Sequence, residues 1–112
     1  MITTEDDHRL VLCTCPDQET ALTIGERLVE ERLAACVSLV PGLSSIYRWQ
    51  GAIQRDPEVL LLIKTTLARF DALSDSLRRL HPYDVPEIIA LPITAGSRDY
   101  LSWVTTCTQS DA

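Results

Sequence analysis

Cys13 and Cys15 in "RLVLCTC", Cys36 in "ACVSLV" and His81 at the head of "HPYDVPEIIALPIT" are the donors of this chain best suited to metal chemistry. Thiolates combined with a neutral imidazole select Cu(I) or Zn(II). Two residues apart on an extended strand, Cys13 and Cys15 point their sulfurs to one face and lie too close along the chain for an easy disulfide. The same spacing also fits core residues, because C-x-C here sits inside an apolar strand and cysteine favours interiors. His81 has two readings as well. As a ligand it needs a partner for its second nitrogen, for which Asp84 and Glu87 are near in sequence. As a helix-terminal cation it is held by the helix dipole alone.

Lys64, the only lysine, ends an apolar strand run, so its stem lies along apolar surface and its ammonium emerges from it. It is an interface ion-pair partner or a ligand contact. With Glu87 near the neighbouring strand it outlines a polar cleft with an apolar lining. Trp103 is assigned to packing, and Trp49, at a hairpin tip, to anchoring an interface. His8, in the acidic start "MITTEDDHRL", receives no role. No Ser-His-Asp ordering, glycine-rich phosphate loop or H-E-x-x-H occurs, and four scattered glycines make no phosphate cradle. The chain is read as not an enzyme.

These side chains need elements to hold them. The 112 residues fit one domain, 1–112, with a flexible tail over 1–8, and 46% hydrophobic against 23% charged residues is a globular balance. A net charge of -6 supplies no field for a phosphate backbone, so nucleic acid is not expected as a partner. Neither an export signal nor a membrane-length apolar run is found, which predicts a cytoplasmic protein with free thiols and no membrane association.

Hydrophobic period then divides the chain. "RLVLCTC" is a first strand closed by Pro16, and Asp17 caps a helix that buries Ala21, Ile24, Gly25 and Leu28 and ends near Leu33. "ACVSLVPGLSSIYRWQGAIQRDPEVLLLIKTT" forms two long strands around a turn at Gln50 and Gly51. With Trp49 facing Ala52, Pro41 falls opposite Leu60 and Pro57 opposite Ser44, which bends the hairpin and leaves its outer half as a projecting arm. Ile46, Tyr47, Trp49 and Ile53 at the end of that arm predict packing on another subunit. A second helix runs from Leu67 to Leu80. "EIIALPIT" is a last strand whose Pro92 requires a sheet edge, and a closing helix is capped by Ser97. The order βαββαβ plus a terminal helix predicts an α+β, ferredoxin-like sandwich with a long bent β-hairpin. "LVLCTC" and "EVLLLIK" are apolar at both parities, so the sheet's second face is expected to be covered by further copies of the chain.

"VLCTCPDQETA", "ERLAACVSLVPGLSSIYRWQG", "EVLLLIKTT" and "LHPYDVPEIIALPITAGSRDYLSW" together resemble the CutA divalent-cation-tolerance family across about residues 9 to 104. The resemblance implies a cytoplasmic homotrimer with inward-packed sheets and intersubunit clefts, similar in architecture to PII signalling trimers. It also implies a role in tolerance of copper and other divalent cations. Carried over by residue, Cys13 and His81 match copper ligands and Cys36 matches a cysteine implicated with them. Some members have a further cysteine where this chain has Ser76 and a second histidine where it has Leu80. By the same analogy the cleft draws on Trp49, Lys64, Tyr83 and Glu87. The alternative function is a PII-like regulatory trimer binding a small anionic metabolite around Lys64. The loop from His81 to Glu87 is stiff first, because Pro82 and Pro86 fix φ, and functional second.

Overall fold

The computed structural model describes residues 7–109. β1 (His8–Cys15), α1 (Gln18–Glu30), β2 (Cys36–Trp49), β3 (Ala52–Thr66), α2 (Leu67–Leu80), β4 (Ile89–Pro92) and α3 (Arg98–Cys107) follow one another along the chain. The four strands form one antiparallel sheet in the order β2-β3-β1-β4. This is the expected α+β split βαβ arrangement, with β4 and its Pro92 at an edge where no ladder hydrogen bond is lost.

Local chemistry sets the boundaries. Asp17 has extended backbone and its carboxylate accepts the Thr20 N–H at 2.7 Å, which starts α1. α1 stops at Glu30, short of the expected Leu33, where Arg32 turns the chain at a φ of 60°. α2 covers the expected Leu67–Leu80, with Arg78 and Arg79 in its last turn. Ser97 caps α3 by accepting the Tyr100 N–H.

The hairpin turns on Gln50 (φ 48°) and Gly51 (φ 79°), both left-handed as a tight two-residue turn demands. Trp49 pairs with Ala52 and Ser44 with Pro57, as expected. Pro41 does not pair with Leu60, however. Val40 takes that place, and the ladder shifts register before Leu43 resumes opposite Glu58. Pro41 cannot donate and Gly42 sits at a φ of 85°, so the extra residue is accommodated as a β-bulge at this bend. The arm beyond it gives the molecule a long axis of 48 Å against 26 and 22 Å.

One sheet face, carrying Val11, Cys13, Cys15, Val59, Leu61 and Ile63, packs on Ala21, Ile24 and Leu28 of α1 and Leu73 and Leu77 of α2. At about 25 cal/mol per Å² this apolar burial is the main stabilising term. The other face carries Leu10, Leu12, Ser38, Leu60, Leu62 and Lys64, all half-buried. Part of its cover comes from within the chain. α3 crosses one end, where His8 Nε2 lies 2.8 Å from the Leu101 carbonyl oxygen and 2.9 Å from Thr105 Oγ1. His8 therefore opens β1 and fastens α3; it is not part of a flexible tail, and the rest of that expected tail lies outside the described residues apart from Asp7. Strand parity explains the link, since His8 shares the face of Leu10 and Leu12.

Candidate metal centre

β1 delivers two thiols to one place. Cys13 and Cys15 point into the helix-covered face and are fully buried. His81, the first residue after α2, reaches the same spot because α2 packs on that face and ends beside β1. The Cys13, Cys15 and His81 donor atoms all lie within 4.8 Å of one another. Two strand residues and one helix-terminal residue thus supply three soft or borderline donors.

His81 is held on both sides. Its Nε2 donates to the Thr14 carbonyl oxygen at 2.7 Å, and its Nδ1 accepts the Tyr83 backbone N–H at 3.1 Å. A carbonyl only accepts and an amide N–H only donates, so the partners assign the neutral Nε2–H tautomer. The reason for the contact lies in the sheet. β4 pairs with β1 only over Arg9–Leu12, so Thr14 runs past the end of its neighbour and the imidazole satisfies the carbonyl there. Asp84 and Glu87 do not take the partner role expected of them. The Tyr83 ring packs on the imidazole with centroids 4.6 Å apart, and its hydroxyl donates to Glu58 Oε2 at 3.0 Å.

The two thiols are electrostatically unequal. The hydrogen bond to Cys15, followed by burial, pushes Cys13 well above the ordinary thiol range, and the nearby Glu87 and Glu58 add to the shift. The same hydrogen bond draws Cys15 down against the opposing effect of burial. Around Tyr83, burial first and then the Glu58 hydrogen bond and charge push the phenol up.

Cys36 stands apart from this cluster. It pairs with Lys64, which pairs in turn with Leu10, three residues from Cys13 and of opposite parity. Its sulfur therefore belongs to the other face of the sheet. There Lys64 Nζ donates to Ser38 Oγ at 2.6 Å and to Cys36 Sγ at 3.8 Å. Tyr100 of α3 adjoins the same sulfur, and burial followed by the Cys36 charge raises its phenol. Of the three residues expected at a metal, the fold brings Cys13 and His81 together, with Cys15 beside them, and sets Cys36 on the other face of the sheet. The period of two that sets Cys13 and Cys15 on one face was the signal available in the sequence.

The expected cleft residues do not meet within one chain. Trp49 pairs with Ala52, twelve residues before Lys64 on β3, roughly 40 Å at strand rise. Glu87 is exposed and precedes β4, whereas Lys64 stands level with Leu91 through Leu10. Tyr83 instead pairs with Glu58, a buried carboxylate beside the bulge that no sequence motif marks. Among the described residues no helix is long and apolar enough to cross a membrane.

A sequence model of the CutA1 divalent ion tolerance protein family matches residues 9–107. The chain is 59% identical over 97 residues to the divalent-cation tolerance protein CutA of Thermus thermophilus, covering 87% of this chain and 94% of that one. It is 45% identical to the divalent-cation tolerance protein CutA of Salmonella newport, over 85% of this chain and 83% of the other. The crystal structure of CutA1 from Oryza sativa superposes with a TM-score of 0.92 at 41% identity, covering 97% of this chain and 100% of that one. The chain thus belongs to the CutA1 divalent ion tolerance protein family.

Proposed function

We propose that the chain is a non-enzymatic metal-binding protein that takes part in the response to divalent metal ions, copper foremost, and works as a homotrimer. The observation that carries the metal reading is the buried meeting of Cys13, Cys15 and His81 within 4.8 Å, in a chain whose relatives are named for divalent-cation tolerance. Thiolate and imidazole donors match copper and zinc rather than calcium or magnesium, which take oxygen. The four cysteines are unpaired, which accords with a reducing, cytoplasmic setting.

Assembly is supported by the surface left uncovered. Ile46, Trp49 and Ile53 are 60% or more exposed on an arm that is only two strands wide. β2 borders an apolar groove lined by Leu22, Val29, Val37 and Leu39 while lying at a sheet edge. Free edges and apolar arms of this kind offer unpaired backbone and apolar surface on which another chain can pack. The test is a titration of the reduced full chain with copper and zinc against competing chelators, with mass measured by light scattering. Binding near one ion per chain on a trimer is expected; no competition with the chelator for any of these ions overturns the metal reading.

A further inference from the structure

We infer that Cys13, Cys15 and His81 form a closed three-donor site for a monovalent soft ion of the Cu(I) class, with Cys36 outside it. This rests on the metal-binding reading above, names its ligand set, and assigns the copper of that reading to its reduced, monovalent form at this site.

Donor count decides between ions. The three donor atoms lie within 4.8 Å, and no fourth histidine, cysteine or carboxylate joins them among the described residues. Both cysteines are 0% exposed and His81 is 6% exposed, so bulk water is not at hand to complete a tetrahedron. Structural zinc takes four protein donors and catalytic zinc three plus water, whereas soft thiolates select Cu(I). The spacing is short enough for all three donors to share one ion. At a metal–sulfur bond of about 2.3 Å, donors on opposite sides of one ion stand about 4.6 Å apart and three in a plane about 4 Å apart.

Electrostatics excludes Cys36. Its sulfur lies 3.8 Å from the Lys64 ammonium on the opposite face of the sheet, where a metal cation would meet a like charge. Cys13 and Cys15 lie on the face away from Lys64, and the charges of Glu87 and Glu58 that act on Cys13 are negative.

Both imidazole nitrogens are already in use, so capture of an ion breaks one of the two bonds, to Thr14 or to Tyr83. The bond that survives orients the ligand from outside, as metal-bound histidines require. The way in lies beside His81, where Pro82, Tyr83 and Asp84 are exposed and the two thiols are not.

The experiment is an anaerobic competition titration of the reduced full chain with Cu(I) against a coloured Cu(I) chelator, in parallel with Zn(II). Cys15→Ser and Cys36→Ser are compared with the unmodified protein. Loss of a direct ligand should weaken Cu(I) binding by at least about tenfold in Cys15→Ser, the scale set by losing even an outer partner, and leave Cys36→Ser unchanged. Copper-edge X-ray absorption of the unmodified chain should count two sulfurs and one nitrogen, a readout independent of how well Cys15→Ser folds. Equal Cu(I) affinity in Cys15→Ser, loss in Cys36→Ser, or a single sulfur at the edge overturns the inference while leaving metal binding in place. If neither Cu(I) nor Zn(II) competes, the metal-binding reading falls with it.

Discussion

His81 does two jobs that pull against each other. As a structural group it closes the unpaired end of β1 through Thr14 and the start of the following loop through Tyr83. His81→Ala leaves a buried carbonyl and an amide without partners, so a loss of about 1–3 kcal/mol in urea denaturation is expected. A loss below about 0.5 kcal/mol would show that water replaces the ring at no cost. The thiol pair gives a pH prediction. Cys13 is raised above its ordinary value of 9.0 in the fold, so above that pH the unfolded chain releases a proton that the folded chain keeps. Stability therefore falls as pH rises through and beyond about 9. Cys15 acts with the opposite sign, because a lowered group stabilises above its folded value and loses that contribution as pH falls. The raised phenols of Tyr47, Tyr83 and Tyr100 add to the loss above about pH 10. The urea midpoint should decline steadily from pH 9 upward, and a flat or rising midpoint would refute this account.

At the scale of elements, the long hairpin depends on two adjacent left-handed residues. Gly51 sits at a φ of 79° with open space around it, so a side chain there meets backbone strain rather than a clash. Gly51→Ala should destabilise by about 1 kcal/mol, whereas Gln50→Asn, a residue suited to the same region, should raise the thermal midpoint. Equal shifts of one sign in both variants would mean that the turn conformation differs. Elsewhere the elements follow their sequence patterns closely. Ser97 and Asp17 cap where expected, and Pro92 lies on an edge strand. The departures fall at Pro41 and Gly42, where a one-residue shift moves the pairing, and at Arg32, which ends α1 early. Both are positions where a single φ, not hydrophobic period, decides the path.

For the whole molecule, the arm and the free edges set the behaviour in solution. Light scattering of the full chain should return about three times the monomer mass, and Trp49→Asp, which places a charge on the exposed arm, should lower it. A trimer unaffected by Trp49→Asp would move the contact to the α1–β2 groove. α3 adds a constraint within the chain, because His8 ties it to the sheet face that carries Lys64, Ser38 and Cys36. In the proposed trimer, further copies of the chain would therefore meet a face already covered at one end.

The sequence by itself determined the element order, the caps, the hairpin register beyond the bulge and the edge position of β4, because each depends on period, turn chemistry or a residue's own donors and acceptors. It also placed Cys13 and Cys15 on one face. Only the tertiary structure decided which third donor they meet. His81 is far from them in the chain and arrives because α2 packs on their face, whereas Cys36 is closer in sequence but has the wrong strand parity. Likewise, the pairing of Tyr83 with Glu58 and of His8 with α3 arises from contacts between distant segments, which no local spacing encodes.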